Sequence, residues 1–105
     1  MNFKELAENL GLEEEEYLEL IELFIETSMS DLNDLQSATG SGSTEKAADA
    51  AHSIKGAAGN LGLMEISEIA GRIEANARNG QLDGAAESAQ ELQGKLDSVA
   101  NIIRQ

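Results

Sequence analysis

Four stretches of this chain repeat apolar residues at intervals of three and four, and no proline interrupts them. Each is therefore committed to a helix with one apolar side. From Glu13 to about Ala38 the stripe is Tyr17, Leu20, Ile21, Phe24, Leu32 and Leu35, with Ser28 in line and glutamates outside. Gly40-Ser41-Gly42-Ser43 reads as a loop, followed by a helix over 44–60 capped by Ser43 or Thr44. In that helix Ala47, Ala50, Ala51, Ile54, Ala58 and Leu61 form one narrow stripe, small enough for a neighbouring helix to approach closely.

Gly62 closes this segment. Leu63 to Arg78 forms the next helix, with Ile66, Ile69, Ala70, Ile73 and Ala77 inward and Asn79-Gly80 at its end. Asp83 is expected to cap the last helix, where Ala85, Ala89, Leu92, Leu96, Val99 and Ile103 keep the three-four repeat. Ahead of all four, residues 2–10 read as a short helix with Phe3, Leu6, Ala7 and Leu10 on one side, ended by Gly11. Long helices joined by short loops close most simply as an all-α, antiparallel up-down-up-down four-helix bundle, capped by the short N-terminal helix. With 105 residues, the chain has room for one core, so residues 1–105 are expected to form a single domain.

Charge narrows the partners. Seven basic and twenty acidic residues leave a net charge of −13, which repels nucleic acid and anionic lipid surfaces. There is no cysteine, the start MNFKELAENLG lacks the layout of a secretory signal, and the apolar runs are far shorter than the roughly eighteen residues a membrane span needs. A cytoplasmic monomer is expected, and a chain running from Met1 to Gln105 is expected to be free-standing.

The one histidine, His52, sits about 140° around the helical wheel from Ala47 and should face solvent. A lone exposed histidine is ordinarily just a surface residue, but its surroundings here are unusual. Lys55 and Gly56 follow within one turn, Gly59 lies one turn further, and Ala48 lies one turn before. Glycine in a helix costs about 1 kcal/mol relative to alanine. Two of them on the His52 side point to close approach by a partner's backbone, with tight helix packing as the alternative. A neutral imidazole carries a free lone pair that can attack an activated phosphorus without a separate base, and Lys55 could neutralise the phosphoryl oxygens.

Other chemistries fit poorly. A carboxylate-bridged di-iron bundle needs two Glu-x-x-His motifs, whereas this chain offers only Asp49-x-x-His52, so no metal site is expected. Neither a phosphate-binding loop of the G-x-x-x-x-G-K-[ST] type nor a calcium loop is present, and no Ser/His/Asp set can be assembled.

The segment Ala51-His52-Ser53-Ile54-Lys55-Gly56-Ala57-Ala58-Gly59-Asn60-Leu61-Gly62 resembles the phosphoacceptor signature of histidine phosphotransfer domains, His-x-(Leu/Ile)-Lys-Gly followed by small residues, an apolar residue and glycine. The likeness extends over the long acidic helix before the signature and the helix containing Ile73-Glu74 after it. It implies that His52 accepts a phosphoryl group on Nε2, and that Glu74 fixes the tautomer by bonding the other ring nitrogen. From the residues alone Glu74 is one of twenty acids and could equally be solvated.

The resemblance further implies a phosphocarrier without autonomous catalysis in a bacterial two-component phosphorelay. Its partners would be response-regulator receiver domains or a hybrid sensor histidine kinase, with Mg²⁺ supplied by the receiver and no intrinsic cofactor. Ala48, Gly56 and Gly59 would give a receiver access, and the apolar lid residues would either dock it or merely cap the bundle. The alternatives are the phosphoacceptor module of a chemotaxis-type kinase and a binding-only helical adaptor, which would be marked by loss of the histidine.

Overall fold

The computed structural model describes residues 2–104, and among them every regular element is a helix. Helix α1 spans Phe3–Asn9, α2 Glu14–Ser41, α3 Thr44–Asn60, α4 Met64–Arg78 and α5 Ala85–Ile103. Their starts are fixed locally. The Asn2 side chain accepts from the Glu5 amide, Glu13 and Glu16 form a reciprocal capping box on α2, and the Ser43 hydroxyl accepts from the Lys46 amide. Three of the first four residues of α2 are acidic, which favours the positive end of its dipole.

Helix α2 packs against α3 and α5, and α4 packs against the same two, so four helices close a ring around one core while α1 lies on α2. The α3 stripe Ala47, Ala50, Ala51, Ile54, Ala58 and Leu61 is buried as the spacing requires. Small side chains let neighbouring helices come close on both sides of α3. Tyr17 ties α2 to the turn after α3: its ring is fully buried 6.2 Å from that of Phe3, and its hydroxyl donates to the Leu61 carbonyl. Burial pushes this phenol above its ordinary pKa.

Four expectations need correction. Helix α2 continues through Gly40 and Ser41 to a left-handed cap at Gly42 (φ 75°), so the loop is shorter than the glycine and serine content suggests. The Ser43 and Gly42 amides donate back to the Ala38 and Thr39 carbonyls, which closes this last turn, and the Thr39 and Ser41 hydroxyls turn inward onto the Leu35 and Ala38 carbonyls. Helix α5 starts behind Gly84 (φ 77°) with no side-chain cap, so Asp83 does not fill that role. Leu20 is 41% exposed, because the buried sector of α2 is rotated toward Ile25, which is buried instead. Leu10 is likewise exposed, leaving Phe3 and Ala7 as the buried residues of α1. Among the described residues no helix is long and apolar enough to cross a membrane.

Candidate functional site

His52 stands on the outer side of α3 with its side chain 61% exposed. The apolar stripe of α3 turns inward, and the imidazole, well off that stripe, is left at the surface. Its Nδ1 lies 2.8 Å from Glu74 Oε2, on α4. Glu74 is the one buried acidic residue among those described, its side chain 11% exposed. It is paired from several sides: Lys55 Nζ lies 2.6 Å from Oε1, and Arg78 Nη2 lies 3.1 Å from Oε2.

The Lys55 ammonium bonded to it holds the Glu74 carboxyl below the usual glutamate range; partial burial opposes this, and Arg78 and His52 add to the lowering. An ionised carboxylate can only accept, so Nδ1 must donate and the neutral ring keeps its lone pair on Nε2. In its neutral form the ring therefore presents the Nε2 lone pair at an exposed position, with a fixed orientation and a cation one helical turn away.

Glycines shape the rest. A Cβ added at Gly56 would meet nothing within 4 Å, so packing does not require glycine there and the surface beside His52 is open. Gly59 is different: it is exposed, but its Cβ direction faces Ser67 Oγ of α4 at 3.5 Å, an ordinary contact at the α3–α4 seam. In α4, Gly71 leaves space for the Lys55 stem, since a Cβ there would come 3.3 Å from Lys55 Cδ. The Ser67 hydroxyl donates to the Lys55 carbonyl in the same seam.

Of the sequence-derived site residues, His52, Lys55 and Glu74 converge, and Gly56 lies open beside them. Ala48 does not belong to an accessible face. It is 1% exposed, because α3 is covered on the α4 side as well as along its Ala47–Ile54 stripe. Sequence reasoning missed Arg78, whose Nη1 also lies 3.6 Å from Asp49 Oδ1. Its position four residues after Glu74, the spacing of a helical ion pair, was the available signal. A second missed contact pins α2 to α3 beside the site: the Ser53 hydroxyl donates to Asp31 Oδ2 at 2.6 Å.

The family model described as Hpt domain matches residues 19–102, a span that contains each of these polar groups. The fold is similar to the crystal structure of histidine-containing phosphotransfer protein B (HptB) from Pseudomonas aeruginosa PAO1, with a TM-score of 0.84 and 27% sequence identity. The similarity covers 95% of this chain and 87% of that one. No curated protein sequence matches the chain at a significant level. On its sequence, its fold and the exposed histidine of α3, the chain belongs to the Hpt domain family and serves histidine phosphotransfer in two-component phosphorelays, alongside kinases and receiver domains.

Proposed function

We propose that His52 is the phosphoacceptor and relays a phosphoryl group between receiver-domain aspartates. The observation that carries this is the 2.8 Å contact from His52 Nδ1 to an ionised, mostly buried Glu74, which directs the ring's lone pair outward on Nε2. That lone pair attacks the phosphorus of a receiver's aspartyl phosphate. An N–P bond forms as the P–O bond breaks, and the leaving carboxylate keeps the electron pair. In the onward step a second receiver's carboxylate attacks, and the pair returns to Nε2. The Nδ1 proton stays beside Glu74 throughout, so no separate base is needed.

Lys55 neutralises the phosphoryl oxygens, while Gly56, with Gly59 at the edge, leaves room for the receiver's loops. The partner supplies Mg²⁺ and the acidic pocket, and this chain contributes no catalysis of its own. HptB, a histidine-containing phosphotransfer protein by name, supports the same role here. We further read residues 1–105 as one domain, a cytoplasmic monomer. The short connections between α2 and α3 and between α3 and α4 support an antiparallel up-down-up-down order, with α1 as cap.

The test is mass spectrometry after treatment with phosphoramidate, followed by a chase with a receiver domain and Mg²⁺, comparing wild type with His52→Gln. An acid-labile phosphoryl group on His52 that moves to the receiver is expected. No modification, or one that never transfers, would move the assignment to a binding-only adaptor.

A further inference from the structure

Glu74 is bound by more positive charge than the orientation of one imidazole requires. Lys55 occupies its Oε1 at 2.6 Å, and Arg78 shares Oε2 with the His52 ring at 3.1 Å. The two cations are held differently. Arg78 spans two carboxylates on two helices, with Nη1 3.6 Å from Asp49 Oδ1 on α3 and Nη2 on Glu74 of its own helix, a use suited to the rigid guanidinium fork. Lys55 has one ion-pair partner among the described residues, a flexible stem laid along Gly71, and a side chain 39% exposed.

We propose that Arg78 is the resident counter-ion of Glu74, and that its presence frees Lys55 to leave Glu74 for the phosphoryl oxygens when His52 is loaded. This rests on the phosphoacceptor assignment of His52. A phosphoryl group brings up to about two negative charges to the ring nitrogen beyond Nδ1. If Lys55 were the only cation on Glu74, moving it would strand a mostly buried carboxylate beside a new anion. An uncompensated buried charge is strongly destabilising, so the lysine would stay where it is. With Arg78 anchored from its far side by Asp49, Glu74 remains paired and keeps hold of Nδ1 while Lys55 moves. Arg78 is thus a positioning residue that acts through Glu74 and Lys55.

The test is a double-mutant cycle on the full chain, reading the rate of phosphorylation by phosphoramidate for wild type, Arg78→Met, Lys55→Ala and the double variant. Arg78→Lys serves as rescue and His52→Gln as blank, with circular dichroism melts to check folding. Arg78→Met should slow phosphorylation by about fivefold, the upper end for a partly exposed ion pair, and Arg78→Lys should recover most of the loss. In the Arg78→Met background, Lys55→Ala should change the rate by less than about twofold, because a lysine retained by Glu74 no longer serves the phosphoryl group.

A purely structural Arg78 predicts that the two losses multiply. That result, or an Arg78→Met rate equal to wild type, overturns the proposal. Arg78→Gln, which can still donate to Glu74, repeats the cycle with the charge alone removed should the methionine variant fail to fold. Absence of phosphorylation in every protein would refute the phosphoacceptor assignment and this inference with it. An active wild type with multiplicative losses removes the inference alone.

Discussion

Substitutions at Gly56 should drive stability and phosphotransfer in opposite directions. The residue is inside α3, exposed, and a Cβ there would meet nothing within 4 Å. With no clash to subtract, the helix-propensity difference acts in full, and Gly56→Ala should stabilise the fold by about 0.8–1 kcal/mol. For a chain of this length that is a rise in melting temperature of about 4 °C.

Gly56→Leu should keep most of this gain, since leucine is nearly as good a helix former as alanine. It also places four carbons one turn from the imidazole, where a receiver's loops must close. Phosphorylation by the small donor phosphoramidate should therefore stay near the wild-type rate. Transfer to a receiver should fall by at least about tenfold, equivalent to about 1.4 kcal/mol of lost docking. Gly94 is the control: it too is helical, exposed and without neighbours at its Cβ position, but it lies on α5. Gly94→Ala should give a similar stability gain with unchanged transfer. Urea and thermal unfolding measure the first quantity, and rapid-quench phosphotransfer the second. A destabilised Gly56→Ala would show that glycine is required by the fold, and wild-type transfer by Gly56→Leu would refute the access argument.

His52→Gln should abolish phosphoryl acceptance and shift unfolding free energy by no more than about 1 kcal/mol, because the ring is largely exposed and contributes one hydrogen bond; a larger loss on urea titration would make the residue structural. Ser28→Ala should stabilise the protein by roughly 1 kcal/mol, since its hydroxyl is fully buried with no hydrogen-bond partner among the described residues, and a destabilised variant would reveal a bond the hydroxyl makes. Because pairing lowers the folded-state pKa of Glu74, its contribution is fully present above the unfolded value of about 4.3 and is lost as pH falls through the lower folded value. Measured in the His52→Gln background, where no imidazole titrates beside the carboxylate, the stability difference that Glu74→Gln makes should therefore be constant above about pH 5 and shrink as the solution is acidified; a difference that grows toward low pH there would contradict the pairing.

The helices were legible because each buries one side, and a single burial direction leaves a periodic trace in the sequence. Its limits show at the same positions. Leu20 and Ile25 lie on opposite flanks of the α2 stripe, and only the placement of neighbouring helices decides which is covered. Ala48 was misjudged for the same reason: α3 is flanked by both α2 and α4, so its buried sector is wider than its most apolar line. Helix α2 outruns the end its glycine and serine content suggests because left-handed Gly42 turns the Ser43 and Gly42 amides back onto the Ala38 and Thr39 carbonyls, which closes one more turn. At the site, His52, Lys55 and Gly56 lie within five residues of one another and could be found together. Glu74 came only through family resemblance. Arg78 left one local signal, its place four residues after Glu74, whereas its second contact to Asp49, the Gly71–Lys55 contact and the Asp31–Ser53 bond depend on which helices adjoin.

On the phosphoacceptor assignment, the exposed placement of His52 on α3 also sets how long a signal lasts. With that side chain 61% exposed, a loaded molecule left by its partner presents the N–P bond to water. Each charged copy is then a message with an expiry time set by solution chemistry. Delivery is a race between the next encounter and hydrolysis, and the abundance of the recipient, more than the tightness of any one complex, decides how much of the signal arrives.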